Sequence, residues 1–115
     1  MSKDLLALKT IIESIEKINL YSSPNHNADD FYHDTKSFDA TMIHFINIGE
    51  MIDRISLQLK ENYPSIPWRE IKDFRNLVSH NYFGIDADEL WDIITNHLPK
   101  LKTQINTIIQ NTEEQ

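Results

Sequence analysis

The stretch FDATMIHFINIGEMIDRISLQL, residues 38–59, decides the fold. Its large apolar side chains recur every three, four or seven residues, which is the spacing of one face of an α-helix. The stripe consists of Phe38, Met42, Phe45, Ile52 and Leu59, and Ile48 and Ile55 widen it. A face this broad predicts one long helix, from about residue 35 to residue 62, that is buried on more than one side.

The composition of the whole chain also favours helices. Its 115 residues include only two glycines and four prolines, and isoleucine is frequent whereas valine is almost absent. Strands are usually short runs separated by Gly, Pro or Asn, and long parts of this chain lack that punctuation. We therefore predict an all-α protein with a single domain over residues 1–110, followed by a frayed C-terminal tail at residues 111–115.

Further helices are predicted on both sides of the long one, at residues 4–20, 29–33 (a single turn), 67–79 and from residue 87 onward. Pro67 suits the first turn of its helix, where no N–H is needed. Gly84 follows as a stop, and Asp86 with Glu89 forms a capping box for the last helix. Pro99 should kink or split that helix, which gives a total of four or five helices.

Gly49 lies inside the long helix, where glycine costs about 1 kcal/mol relative to alanine. We interpret it as a point where another backbone approaches closely.

Several classes of function are excluded or disfavoured by what the sequence lacks. Without cysteine there is no disulfide framework, no thiolate metal site and no cysteine nucleophile. No apolar run approaches the roughly 20 residues of a membrane span, and the first residues do not resemble a signal peptide. The segment at residues 26–34 is rich in His and Asp but has no metal-ligand spacing. We expect a soluble, cytoplasmic protein without a metal site or cofactor.

The charge is unevenly distributed. The formal net charge is −7, yet residues 54–80 carry five basic against three acidic side chains, a net of +2. Because non-specific affinity for nucleic acid comes from neutralising phosphates, a polyanion would have to dock on this segment. The alternative is that the segment is an ordinary solvated helix face.

One stretch, residues 75–82, places a cation, an amide, an imidazole and a phenol together at the end of a helix in this basic region. The cation is Arg75 and the imidazole is His80. Five residues apart, they would point about 140° away from each other on an ideal helix. They converge only if the helix ends near Ser79, as Gly84 favours, or if two chains each contribute one copy. The plainer alternative is that Arg75 and His80 cap the last helical carbonyls.

The chain contains YPSIPWREI at residues 63–71, RN at 75–76, HNYFGID at 80–86, LW at 90–91 and, upstream, IGE at 48–50. Together these motifs resemble the HepT-like toxin family of the HEPN superfamily, and the resemblance covers nearly the whole chain. It implies an up-down bundle of four to five helices, the HEPN fold, that forms a homodimer. Arg75 and His80 of both protomers would face each other and form one RNA cleft.

The resemblance also implies an activity and a partner. The protein would be a metal-independent endoribonuclease that cleaves tRNA or mRNA as the toxin of a type VII toxin–antitoxin pair. The antitoxin would be a small MNT-type nucleotidyltransferase that places AMP on Tyr82. The residue types suit this chemistry, since His can transfer protons near neutral pH and Arg binds phosphate.

Other residues have secondary or open roles at this point. Asn76, Asn81 and Glu50 are candidate supporting residues, although Glu50 is equally an ordinary surface carboxylate. Trp68 and Trp91 are expected to pack in the core rather than stack on bases, and Arg69 either contacts RNA or forms a salt bridge. The rival hypothesis is a non-catalytic HEPN-like binding module, or an accessory subunit of a nucleotidyltransferase.

Overall fold

The computed structural model describes residues 2–82 and 86–114, with only the backbone for residues 79–82. All regular structure in these ranges is helical, so the predicted all-α class is confirmed. The helices are α1 (Lys3–Ser22), α2 (Ala28–His33), α3 (Thr35–Arg54), α4 (Leu57–Asn62), α5 (Trp68–Lys72), α6 (Phe74–Tyr82), α7 (Ala87–Asp92), a π-helical turn (Ile93–His97) and α8 (Leu98–Glu113). None of the described helices is both long enough and apolar enough to cross a bilayer.

The core lies between α1 and α3, which run antiparallel. At one end the Asp4 carboxylate accepts hydrogen bonds from the Ser56 N–H and hydroxyl, at 2.7 and 2.6 Å. At the other end the rings of Tyr21 and His44 lie 5.9 Å apart. Helix α8 covers α1, and α5 and α6 pack on α3. The stripe predicted on α3 and α4 is buried throughout: Phe38, Met42, Phe45, Ile48, Ile52, Ile55 and Leu59.

The long helix predicted at residues 35–62 is two helices, α3 and α4. At the break the Ser56 N–H donates to Asp4 of α1 instead of to a carbonyl one turn back along its own helix. The Ser56 hydroxyl then caps α4 by accepting from the Leu59 N–H. The apolar period continues through the break because Ile55 and Leu59 both face the core, so periodicity alone gives no sign of it.

The helix predicted at residues 67–79 is also divided, at Asp73, and it extends further to Tyr82. Asp73 keeps a right-handed helical φ of −73° with ψ of −1°. Its N–H donates to the Arg69 carbonyl, and its carbonyl accepts from the Leu77 N–H. Helices α5 and α6 are therefore joined by a single residue that keeps helix-type hydrogen bonds on both sides. The stop predicted at Gly84 lies outside the described residues.

The C-terminal helix begins and is interrupted as predicted. The Asp86 carboxylate caps α7 by accepting from the Glu89 N–H at 3.0 Å. Before Pro99 the helix widens into the π-helical turn, where the Leu98 N–H donates to the Ile93 carbonyl oxygen, five residues back. Proline has no N–H to donate, and a change in the helical hydrogen-bond pattern next to it is a common way to adapt to this loss. Helix α8 ends at Glu113, within the segment expected to fray.

Candidate active site

Helix α3 meets the start of α6 at Gly49, where the two backbones nearly touch. A Cβ at this position would lie 3.0 Å from the Lys72 carbonyl oxygen and 3.5 Å from the Arg75 backbone nitrogen. The predicted close approach of another backbone is therefore confirmed. The chain approaching Gly49 leads directly into Arg75, so this contact sets the position of the motif's first residue.

The variant Gly49→Ala is expected to destabilise the protein by about 1 kcal/mol. The gain in helix propensity, about 1 kcal/mol, is outweighed because overpacking against a rigid backbone costs about 1–3 kcal/mol. Chemical denaturation measures the effect, with Asn47→Ala as the control on the same helix. If Gly49→Ala were as stable as Asn47→Ala, the contact would not constrain the packing.

Side chains on both sides of the crossing hold α5 and α6 against α3. The Lys72 ammonium and the Asp53 carboxylate form an ion pair at 3.0 Å. The Phe74 ring meets Phe45 edge-on, with centroids 5.2 Å apart, and Val78 is buried one turn later. The first turn of α6 is thus fixed from the core side and from the α3 side, which leaves its outer face for solvent.

Three of the residues predicted for the site lie near this crossing, and one of them, Asn76, also lines the groove beside the C-terminal helix. Arg75 and Asn76 are exposed on the first turn of α6, and Glu50 is exposed on α3 directly after Gly49. The sequence interpretation had placed Arg75 at the end of a helix. That was wrong, because α6 continues for seven residues beyond Arg75.

The helical backbone through Tyr82 excludes one of the two ways in which the motif was expected to converge. An end near Ser79 is wrong, since positions 75 and 80 belong to one helix. They are separated by about 140° around its axis and about 7.5 Å along it. The side chains of His80, Asn81 and Tyr82 lie outside the described residues.

A groove of about 770 Å³ lies on the other side of α6, between α5–α6 and the C-terminal helix. Its lining is mostly apolar by area, and its polar lining residues are Ser65, Glu70, Asp73, Asn76, Glu89, His97, Lys100 and Gln104. The sequence interpretation did not include this groove. Its two walls, residues 65–77 and residues 89–104, are far apart in sequence and are brought together only by the tertiary packing.

Two described histidines outside the motif, His97 and His44, interact with neighbouring side chains or lie partly buried between helices. His97 Nε2 lies 3.2 Å from Asp92 Oδ2, and the Asn96 amide, followed by His97, lowers the pKa of Asp92. Burial lowers the pKa of His44, and the charge of Lys17 lowers it further. These side chains are therefore oriented by their own helices or by the α1–α3 packing.

The two tryptophans pack against the core, as predicted. The Trp68 indole N–H donates to the Tyr63 carbonyl at 3.0 Å, and the Trp91 ring lies 5.7 Å from Phe31.

Among the described side chains, no three His, Asp or Glu residues form a group that could hold a metal ion. In the segment at residues 26–34, His33 Nδ1 lies 2.8 Å from the Asp29 carbonyl of the same short helix. The chemistry available around the crossing of α3 and α6 is that of guanidinium, amide and carboxylate groups.

Comparison with known proteins gives one consistent result. The family model described as ribonuclease HepT-like matches residues 11–108. "Putative RNase MJ0127" of Methanocaldococcus jannaschii is 30% identical over 112 residues, which are 96% of this chain and 92% of that protein. "Probable ribonuclease HepT" of Thermococcus cleftensis is 35% identical over 95 residues, 83% of this chain and 86% of that protein.

A longer relative also matches. "Gamma-glutamylcyclotransferase and putative RNase MJ0434" of Methanocaldococcus jannaschii is 33% identical over 99% of this chain, which spans about half, 51%, of that protein. No solved structure matches the chain with significance.

Proposed function

Because this chain belongs to the HepT-like ribonuclease family, we propose that it is an endoribonuclease whose active site is shared by two copies of the chain. Arg75 and His80 are the proposed catalytic residues. The observation that carries the proposal is the helical backbone of α6, which runs past both positions and is fixed at Gly49.

The geometry of the helix supports a site shared by two copies. Positions 75 and 80 are about 140° apart around the axis of α6, which disfavours a site in which one protomer presents both groups to a single phosphate. A symmetric dimer resolves this if the outer faces of two α6 helices are apposed. Arg75 of one protomer and His80 of its partner then reach the same phosphodiester.

The chemistry proposed for the pair needs no metal ion. One imidazole takes the proton from the ribose 2′-hydroxyl, whose oxygen attacks the neighbouring phosphorus. An imidazolium protonates the departing 5′-oxygen, and the product is a 2′,3′-cyclic phosphate. Histidine is suited to both steps because its ordinary pKa lies near neutrality. The Arg75 guanidinium binds the phosphate oxygens and stabilises the negative charge that builds up on them.

Asn76, Asn81 and Glu50 are proposed to support the site. Asn76 is exposed next to Arg75, and Glu50 is exposed where α3 meets α6. An amide at Asn76 or Asn81 donates hydrogen bonds to phosphate or base edges, and Glu50 accepts from guanidinium or ribose hydroxyl groups.

The proposed biological role is that of the toxin in a type VII toxin–antitoxin pair, acting on tRNA or mRNA in the cytoplasm. The proposed antitoxin is an MNT-type nucleotidyltransferase that transfers AMP from ATP to the Tyr82 hydroxyl and releases pyrophosphate. Position 82 is seven residues after Arg75 on the same helix and therefore lies on nearly the same face as Arg75, about 10 Å further along the axis. The added phosphate and adenine would exclude RNA by charge and by volume.

Incubation of the purified protein with RNA in excess EDTA is the test of the proposed activity. Cleavage at an undiminished rate, with 2′,3′-cyclic phosphate ends, is the expected result. Loss of cleavage in EDTA and its return with Mg²⁺ would contradict the metal-free mechanism. An absence of cleavage in both conditions, together with tight binding to the nucleotidyltransferase, would favour the non-catalytic module.

A further inference from the structure

The charges of α5 and α6 are separated onto two sides. The acidic residues of this segment, Glu70 and Asp73, line the groove that faces the C-terminal helix. The basic residues Arg69, Lys72 and Arg75 are exposed and do not line that groove. Lys72 forms its ion pair with Asp53 of α3, which places Lys72 on the α3 side, and Arg69 and Arg75 lie about 60° to either side of it around the helix axis.

The three cations also follow one another at helical spacing. Each is three residues from the next, and side chains at that spacing are neighbours on a helix surface. Asp73 keeps the chain close to helical between α5 and α6, so each cation neighbours the next, and Arg69 and Arg75 are about 120° apart around the axis. Arg69 lies about 9 Å along the axis from Arg75.

The cations in this row differ in their partners. Lys72 is neutralised by Asp53 at 3.0 Å. Arg69, by contrast, makes no ion pair with any residue in the described ranges, although the exposed carboxylates of Glu70 and Asp73 are close in sequence. Its positive charge is therefore available to an external anion.

The backbone that carries Arg69 is fixed on both sides. The preceding residue, Trp68, packs against the core and donates its indole N–H to the Tyr63 carbonyl. Ile71 is buried two residues later, and the Arg69 carbonyl accepts from the Asp73 N–H. A guanidinium on a fixed backbone loses less freedom on binding than one on a mobile loop, which favours an ordered contact.

We propose that Arg69 binds an RNA phosphate next to the scissile one and so positions the strand across Arg75. This inference rests on the proposed ribonuclease function and assigns a second phosphate-binding position to the same site. Arg69 is a positioning residue, because it contacts the substrate backbone and takes no part in proton transfer. A planar guanidinium suits this contact since it binds phosphate oxygens in pairs.

The test is the salt dependence of RNA binding by the full chain. Binding of an unstructured single-stranded RNA is measured in the His80→Ala background, where the strand stays intact, at several salt concentrations. Arg69→Ala should weaken binding to all sequences alike and reduce the slope of log K against log salt by about 0.7 for each phosphate that is no longer neutralised. Arg69→Lys should retain the slope because the charge remains.

Lys36→Ala is the matched control, since Lys36 is an exposed cation on the first turn of α3, and it should leave the slope unchanged. Thermal melting of each variant should match the parent, because Arg69 is exposed and makes no ion pair with a described residue. An unchanged slope in Arg69→Ala, with RNA still cleaved by the wild type, would overturn this inference alone. Failure of the wild type to cleave or bind RNA would overturn the proposed function and this inference together.

Discussion

Replacing His80 with alanine is expected to slow RNA cleavage by about 10²–10⁴-fold, because a positioned acid or base typically contributes that much. Arg75→Ala should lower the rate to a similar extent by removing a charge that stabilises the transition state. Arg75→Lys should not restore the rate, since an ammonium does not reproduce the paired contacts of a guanidinium. Growth arrest on expression should disappear with the same substitutions.

The control for these variants is His26→Ala, which removes an exposed histidine from the loop before α2 and should leave cleavage intact. Circular dichroism should give the same helical content for all the proteins, so that lost activity is not lost folding. If purified His80→Ala protein cleaved RNA at the wild-type rate, the assignment of His80 would be wrong.

Adenylylation of Tyr82 is expected to abolish cleavage almost completely. A bulky anion at the end of α6 would occupy the cleft and repel the RNA phosphates. Incubation with the nucleotidyltransferase and ATP should add one adenylyl group per chain, located at Tyr82 by peptide mass spectrometry, while activity falls in parallel.

Tyr82→Phe should stay active and resist inactivation, because phenylalanine has no hydroxyl to modify. Tyr32→Phe is the matched control, since Tyr32 is an exposed tyrosine on α2, and it should still be inactivated. Inactivation of Tyr82→Phe protein, or an adenylyl group on a different tyrosine, would contradict the proposed regulation.

The sequence predicts burial in this protein better than it predicts helix continuity. The stripe from Phe38 to Leu59 identifies the core face correctly. Large apolar side chains are buried whether the helix is continuous or broken, so their pattern predicts burial and not continuity. The break at Ser56 depends on Asp4, a residue 52 positions away that takes the Ser56 N–H. A contact so distant in sequence leaves no local signal.

For the site, Gly49 was informative because glycine lowers the stability of a helix interior relative to alanine. A glycine at such a position therefore indicates a packing constraint. Its neighbour across the crossing, the backbone from Lys72 to Arg75, follows from the tertiary packing and was not predictable. Whether Arg69 forms a salt bridge also depends on the tertiary packing and could not be predicted from the sequence. Local sequence offers Glu70 and Asp73 as salt-bridge partners, yet the fold turns both towards the groove.

The central claim is that Arg75 and His80 act on one phosphodiester from two different protomers. Dimers of Arg75→Ala and His80→Ala chains, each with its own affinity tag, are isolated by two successive purifications. Such a dimer keeps one Arg75 and one His80 on different chains and should regain part of the cleavage that both parent homodimers lose, because one of the two imidazoles remains. A dimer of wild-type chain and doubly substituted chain keeps both groups on one chain and should be inactive. Activity in the second dimer and none in the first would contradict the shared site.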